Sequence, residues 1–444
     1  SHREPEKAEP QFIRALSILE SGLGPDHPDS APTLNNLAGL YMDGGRYTEA
    51  ESLYRRALSI REKALSPEHP DVATSLNNLA VLYVRLKRYS EAEPLYIRSL
   101  SIREKVLGKN DPDTAATLNN LAELYMRQGR FVDAEPLFER ALPVFERTMG
   151  KNSVDLATFL NNLAELYVDQ KRYGEAEQLH RRALSIREKA FDDGHTEVMA
   201  SLNNLAIVYI RQEMYTKAEP LYKRITISRE KALGPDHPEM AAILKNEATI
   251  YMHQGKTEEA EAAYTRILAI QEGSLGTYAP ESVNTLIRLV RLYTDDGDYE
   301  KAGPLIPTLF EATRYVSEKD RRPMIGALVD LARLADDEFE YETAEKLYLR
   351  AIDMKEKGPD KDLSSVAVTL NNLAGMYTEQ EKYAEAERAY MRALVILERA
   401  HGKDHKNVRA IAGNLAVLYR EIGREEDARK LEERMGLVEP ENDE

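Results

Sequence analysis

The tetrapeptide Asn-Asn-Leu-Ala recurs along this chain at a spacing of 42 residues or a multiple of 42. It begins at Asn35, Asn77, Asn119, Asn161, Asn203 and Asn371. The same frame continues through more divergent residues and ends at 413–416, so ten equally spaced units follow one another without an insertion or deletion. A fixed repeat of this length is typical of architectures in which one small unit stacks on the next, because no unit can bury its apolar face alone.

Each unit contains two amphipathic segments. In 71–85 the apolar residues from Leu76 to Tyr83 recur at the three- and four-residue spacing of one helix face. We call this segment helix A, and we call 89–107, which carries a second apolar stripe, helix B. Gly108 follows helix B and is suited to a left-handed helix cap. The pattern predicts an all-α solenoid of antiparallel helix pairs.

Small residues should set how closely the two helices approach. Ala80 in helix A and Ala92 in helix B recur in the sister units, and we expect them where the helices cross, since only a methyl group fits there. Lys87–Arg88 should form the tight turn between the helices, where sister units carry Gly45 or Gly129. A large residue in place of such an alanine should unfold the array locally.

The regular frame predicts one domain rather than several. We expect residues 1–434 to form a single solenoid, with a degenerate stretch at about 277–362 where Pro304 and Pro307 fall within a helix B. Drift, a bend in the solenoid or a dedicated interface could each explain that stretch. Residues 435–444 are acidic and are expected to form a disordered tail.

Composition excludes several classes of function. The net charge of −16 argues against bulk binding of nucleic acid or of an anionic membrane, both of which require a basic surface. The chain contains no cysteine, so it can form neither a disulfide framework nor a thiolate metal site, and a reducing compartment such as the cytoplasm fits. No segment is apolar enough to insert into a membrane as a helix.

The histidines do not indicate a metal site or an active site. Five of them share one position just before helix A, at His27, His69, His195, His237 and His405. Copies one repeat apart are too distant to share a metal ion, so they are interpreted as loop and helix-cap residues. No catalytic or phosphate-binding motif is present, and the sequence predicts a protein that is not an enzyme, with no cofactor and no metal.

The repeat resembles the tetratricopeptide repeat, and more closely that of kinesin light chains. Leu79, Ala80, Tyr83, Ala92 and Tyr96 stand at the spacings of the tetratricopeptide pattern. The 42-residue length and the run from helix B into the next loop are similar to kinesin light chains. The resemblance implies a right-handed superhelical solenoid whose concave groove, lined by helix A, holds a peptide of a protein partner. No heptad coiled coil for a motor heavy chain is present.

The paired asparagines are the candidate binding residues. Asn35, Asn77, Asn119, Asn161 and Asn203 form one predicted ladder, and Asn36, Asn78, Asn120, Asn162, Asn204 and Asn246 form the second. A side-chain amide offers two donors and an acceptor, which suits the backbone of an extended peptide. The alternative is that the amides bond to neighbouring helices and fix the pitch of the solenoid; the two interpretations are compatible.

Arginines at two repeat positions lead to different predictions. Arg85, Arg127 and Arg211 follow the second asparagine by seven residues, so the groove could take an acidic peptide, or they could be solvated without a partner. Helix B repeats another arginine, for which regularity favours pairing with acids of a neighbouring unit: Arg56, Arg98, Arg140, Arg182, Arg224, Arg266, Arg350 and Arg392.

The leading hypothesis is therefore a non-enzymatic adaptor or scaffold that binds a protein or peptide along the asparagine-lined groove. The alternative hypothesis is a structural protein that decorates or bridges a cytoskeletal, tubulin-like filament through its convex or edge surfaces. Further domains outside this sequence would make it one segment of a larger regulatory protein.

Overall fold

The computed structural model describes residues 3–358 and 362–437, and these residues are helical apart from the connecting turns. The chain divides into two compact units, one ending at Ser228 and the other beginning at Arg229. Each consists of antiparallel helix pairs, as the repeat predicts. Most of the expected acidic tail lies outside the described residues, but Met435 is buried, so packing extends beyond residue 434.

Helices A and B alternate along the chain. The A helices are α2 (Ser30–Asp43), α4 (Pro70–Arg85), α6 (Pro112–Arg127), α8 (Val154–Asp169), α10 (Thr196–Arg211), α12 (Pro238–His253), α14 (Pro280–Asp296), α17 (Glu318–Asp337), α19 (Leu363–Glu379) and α21 (Lys406–Glu421). The B helices are α1 (Arg3–Leu23), α3 (Tyr47–Ala64), α5 (Tyr89–Val106), α7 (Phe131–Thr148), α9 (Tyr173–Ala190), α11 (Tyr215–Leu233), α13 (Thr257–Leu275), α18 (Tyr341–Glu356), α20 (Tyr383–His401) and α22 (Glu425–Arg434).

The histidines before helix A are helix caps, which confirms the prediction. Nδ1 of His69 accepts a hydrogen bond from the backbone N–H of Asp71 at 3.1 Å, and His195 does the same for Glu197 at 3.2 Å. Ser153 takes this role in another repeat. A side-chain acceptor at this position satisfies one of the free N–H groups at the start of the helix.

The turn between helices A and B uses the left-handed backbone region in every repeat. Glycine occupies the position in half of the repeats, with φ of +75° at Gly45, for example. The other repeats carry residues with a side chain there: Lys87, Lys171, Glu213, Phe339 and Glu381, with φ between 58° and 61°. This region costs an L-residue about 1–2 kcal/mol, so these turns are held by the helices on either side.

The core of each unit follows the alanine prediction. Ala80, Ala92, Ala122 and Ala134 are fully buried. The leucines and tyrosines of the same repeats surround them in one continuous cluster in the first unit. A second cluster of the same kind fills the second unit.

The repeated arginine of helix B links adjacent repeats, as predicted. Arg98 meets Glu62 at 2.5 Å, and Arg182 meets Glu146 at 2.5 Å, in each case across 36 residues. Arg350 differs from the prediction because Arg314 occupies the acceptor position. Arg350 contacts Thr313 and Asp353 instead.

Besides the arginine of helix B, a second recurring cation lies at the turn after helix A. A guanidinium or ammonium group lies over the ring of the last tyrosine of helix A, at 4.0 Å for Arg130 over Tyr125. Arg130 also reaches back to Glu93 on the preceding helix B, at 2.9 Å. We call the residue in this position the turn cation. It combines a cation–π contact with an inter-repeat ion pair.

The degenerate stretch has a broken helix B. Where the frame places one long helix, the chain forms α15 (Tyr299–Ala302), a 3₁₀ turn (Gly303–Leu305) and α16 (Ile306–Ala312). Proline lacks the N–H that would continue the hydrogen-bond ladder, so Pro304 and Pro307 explain the change. The next helix A, α17, begins at Glu318.

Candidate functional site

The candidate site is the surface of successive A helices in the first unit, which we call the A-helix face. There α2 contacts α4, α4 contacts α6 and α6 contacts α8, so the helices lie side by side. The face carries the second asparagine of each pair and the residues three and seven positions after it.

Two of the first asparagines, Asn161 and Asn203, lie between helix A and helix B rather than on the open face. Asn161 is 6% exposed, and its Oδ1 lies 2.8 Å from Nδ1 of His180 on α9. Oδ1 of Asn203 accepts a hydrogen bond from the hydroxyl of Tyr222 at 3.0 Å. Asn35 is buried and donates to Ser75 of the next repeat, while Asn77 and Asn119 are half-buried. Asn161 and Asn203 therefore stabilise their own repeats, whereas Asn35 and Asn77 connect adjacent A helices.

The second asparagines face outward, and Asn120 and Asn162 bridge adjacent A helices. Nδ2 of Asn120 donates to Oδ1 of Asn77 at 3.1 Å, and Nδ2 of Asn162 donates to Glu123 at 2.7 Å. Asn78 and Asn204 are half-buried and make no side-chain hydrogen bond to the described residues. In the same position, Asn36 and, in the second unit, Asn246 are exposed. Each of these amides keeps hydrogen-bonding capacity for a ligand.

The three candidate arginines are exposed and differ in their acidic neighbours. Arg85 lies 3.5 Å from Asp43, the residue at the same position of the preceding A helix. Arg211 is exposed and forms no ion pair with the described residues.

Carboxylates surround the middle arginine, Arg127. Arg127 borders a depression of about 260 Å³ together with Glu123, Asn162, Glu165 and Asp169. Burial, with smaller effects from Asp169 and Glu123, raises the pKa of Glu165. The depression therefore has acidic as well as basic walls.

A buried histidine supports this face from behind and should make the fourth repeat sensitive to acid. His180 is 1% exposed, and burial, followed by the charge of Arg187, lowers its pKa to about 4. The unfolded state has a histidine pKa of about 6.5 and so binds more protons between these values. The stability that His180 contributes is complete above about pH 6.5 and is lost as the pH falls toward 4.

Replacing His180 by tyrosine should remove this dependence while keeping a donor for Asn161, as Tyr222 does for Asn203. Between pH 7 and pH 5, the free energy of unfolding should therefore fall by about 2 kcal/mol more in wild type than in His180→Tyr. Urea titrations at both pH values measure this difference. His195→Ser, a change at an exposed cap, is the control. Equal pH dependence in His180→Tyr and wild type would contradict the assignment.

Sequence reasoning missed a set of buried arginines at the end of helix B. Arg103 is 5% exposed and donates to the backbone oxygen of Asp113 and to Oγ1 of Thr117, both at 2.7 Å. Arg61 and Arg187 make the same contacts with the next repeat. They share one position of the 42-residue unit, and this was the available signal, because a repeated charged residue beside an apolar stripe indicates a structural partner.

Within the described residues, no cluster of three or more potential metal ligands occurs. None of the helices described is long and apolar enough to span a bilayer.

Family models of the tetratricopeptide repeat match residues 29–105, 72–147, 113–189, 197–273, 239–305 and 365–434, and a related tetratricopeptide repeat model matches 1–29. No curated protein matches the chain.

Two solved structures illustrate the similarity. BtubC (BKLC) from P. vanneervenii is 28% identical, over 52% of this chain and 92% of that protein, with a TM-score of 0.46. A kinesin light chain with nearly identical TPR-like repeats from Podosopora anserina is 25% identical, over 46% of this chain and 98% of that one, with a TM-score of 0.43. Because the family models cover well over half of its length, the chain belongs to the tetratricopeptide repeat family, with a unit similar to that of kinesin light chains.

Proposed function

We propose that this protein is a non-enzymatic adaptor that binds an extended segment of a protein partner along the A-helix face. Tetratricopeptide repeats form scaffolds suited to protein–protein interaction. The observation that carries the proposal is the series of outward-facing amides at Asn78, Asn120, Asn162 and Asn204, one on each successive A helix. These amides recur once per repeat, so they can hydrogen-bond the backbone of an extended chain without recognising every side chain.

The charges of the face refine the expected partner. Arg85, Arg127 and Arg211 share one helix position with Asp43 and Asp169 of other repeats. A partner segment that is acidic throughout would meet the carboxylates beside Arg127, so a segment with charges of both signs complements the face better. The arginines alone predict an acidic partner segment. With the carboxylates included, we expect the acidic residues of that segment to lie opposite Arg85 and Arg211 rather than along its whole length.

The test is a triple substitution of Asn120, Asn162 and Asn204 by alanine. Partner affinity should fall about tenfold or more, since each lost ligand hydrogen bond contributes about 0.5–1.5 kcal/mol. Isothermal titration with the partner identified by cross-linking measures the loss, and circular dichroism checks that the variant is folded. Asn110→Ala with Asn152→Ala, at exposed amides in the loops between repeats, provides the control.

Unchanged partner affinity in the triple variant would overturn the proposal. Co-sedimentation with a tubulin-like filament then tests the alternative, because a filament that contacts the B-helix surfaces should bind the triple variant and wild type equally. A cytoplasmic location belongs to the same proposal and is supported by the absence of cysteine.

A further inference from the structure

At nine of the ten turns between helices A and B in the described residues, a cation lies over a tyrosine ring; seven are turn cations, and two, Lys217 and Lys301, lie three residues further along, in helix B. The distances to the ring centroid run from 3.7 to 5.9 Å. The pairs are Arg46 over Tyr41, Arg88 over Tyr83, Arg130 over Tyr125, Arg172 over Tyr167, Lys217 over Tyr209, Lys256 over Tyr251, Lys301 over Tyr293, Lys382 over Tyr377 and Arg424 over Tyr419.

The eighth turn, between α17 and α18, lacks every member of this arrangement. Ala335 stands in the position of the tyrosine, and Glu340 stands where most repeats place the cation. Gly303 replaces the glutamate of the preceding helix B that elsewhere pairs with the cation. A charge reversal at the centre of a repeated ion-pair motif changes what the turn can bind.

Carboxylates collect at this turn without partners from the described residues. Asp336, Asp337 and Glu379 form no ion pair with the described residues, whereas Asp43, which holds the repeat position of Asp337 and Glu379, lies 3.5 Å from Arg85. Oδ1 of Asp336 is buried and accepts no hydrogen bond. Burial, together with the charges of Glu379 and Asp337, raises the pKa of Asp336 to about 6. The charges of Glu379 and Asp337 therefore act on Asp336, in addition to the larger effect of burial.

The cations near this turn make other contacts or form no ion pair with the described residues. Lys346 pairs with Glu342 at 2.7 Å, and Lys382 lies over Tyr377. Arg333 is exposed on α17, where its charge acts on Asp330 and Tyr348.

An exposed aromatic pair adjoins the carboxylates. Phe339 is 75% exposed and packs edge-on against Tyr341, with ring centroids 6.0 Å apart. Such an exposed phenylalanine next to unpaired acids offers both a ring face and a counter-charge to a cation.

We propose that the eighth turn is a docking site for a lysine or arginine side chain in a basic segment of a protein partner. The partner's cation would bind against the Phe339–Tyr341 pair and near Asp337 and Glu379, at a turn that supplies no cation of its own. Charge complementarity selects this occupant over an acidic or apolar one. The site is separate from the A-helix face and does not depend on the function proposed for it.

The direct test restores the array's own cation by Glu340→Arg. The probe is a fluorescein-labelled dodecapeptide of alternating lysine and serine, titrated by fluorescence anisotropy in 50 mM salt. The wild-type protein should bind it, and Glu340→Arg should weaken binding about tenfold or more. Glu139→Arg, an equal charge change on the exposed surface of α7, should alter binding less than about threefold and controls for net charge.

A second variant separates the binding role of Phe339 from its structural cost. Phe339 has a φ of 61°, so Phe339→Gly should raise the melting temperature by relieving the left-handed backbone. The same change should weaken binding of the peptide severalfold, since the aromatic ring is lost. If Phe339 had only a structural role, Phe339→Gly would not combine a gain in stability with a loss of peptide binding.

Two results would overturn the proposal: no binding of the lysine peptide to wild type, or equal weakening by Glu340→Arg and Glu139→Arg. The Asn120, Asn162 and Asn204 triple variant should bind the lysine peptide as wild type does. Failure of the adaptor proposal and failure of the eighth-turn proposal therefore give different patterns across the two sets of variants.

Discussion

Ala122→Phe should destabilise the third repeat by about 3 kcal/mol, at the upper end of the usual cost of overpacking a core. Ala122 is fully buried on α6, in the cluster that also contains the fully buried Ala134 of α7. A ring at this position has no space unless the two helices move apart. Hydrogen exchange should therefore show lost protection in α6 and α7 first, because each repeat is supported only by its neighbours.

Ala190→Phe provides the matched control, since Ala190 is exposed at the end of α9 and the change there should stay within about 0.5 kcal/mol. The folded fraction of Ala122→Phe should keep wild-type partner affinity, because the residue is not on the A-helix face. Wild-type protection of α6 and α7 in Ala122→Phe would show that the two helices do not pack as closely as described.

Arg103→Ala should cost about 2–4 kcal/mol, which is large for a single charged residue. The guanidinium donates to Asp113 and Thr117 of the next repeat and, at 3.2 Å, to Thr74 of its own. Its removal leaves buried oxygens of α6 without a donor and also removes the packed side-chain stem. Urea denaturation measures the loss, and hydrogen exchange should place it at the beginning of α6.

Arg103→Lys is the informative companion. In the second unit Lys355 occupies the same position and donates to the backbone oxygen of Ser365 at 3.0 Å and to Oγ1 of Thr369. Lysine should therefore recover at least half of the stability that Arg103→Ala loses. If Arg103→Ala were as stable as the wild-type protein, the buried guanidinium would not connect the repeats.

The period of the sequence was enough to predict the helix pairs, the caps and the buried alanines. These features depend on spacing and local chemistry, which a repeat displays directly. The helix B arginines were also predictable, because a charge recurring every 42 residues next to a recurring glutamate indicates an inter-repeat ion pair.

The details of the candidate site were less accessible from the sequence. Spacing shows that two adjacent asparagines share a helix, but the burial of Asn161 depends on His180, which lies 19 residues away on the facing helix. The recurrence of Arg103 in other repeats indicated a structural partner, but its burial could not be recognised, since its acceptors lie in the next repeat. The eighth repeat was noted as degenerate, but the meaning of Glu340 appeared only once nine other turns showed a cation over a ring.

The arginine–glutamate links of helix B each span 36 residues, so each closes on the adjacent repeat and none passes over one. Removing 131–172 would delete Arg140 and Glu146 together and leave Arg182 at the former distance of Arg140 from Glu104. Arg182 and Glu104 would then form the ion pair that Arg140 and Glu104 formed before. Gene duplication or loss of whole 42-residue units can thus lengthen or shorten the array without leaving an unmatched charge at the seam.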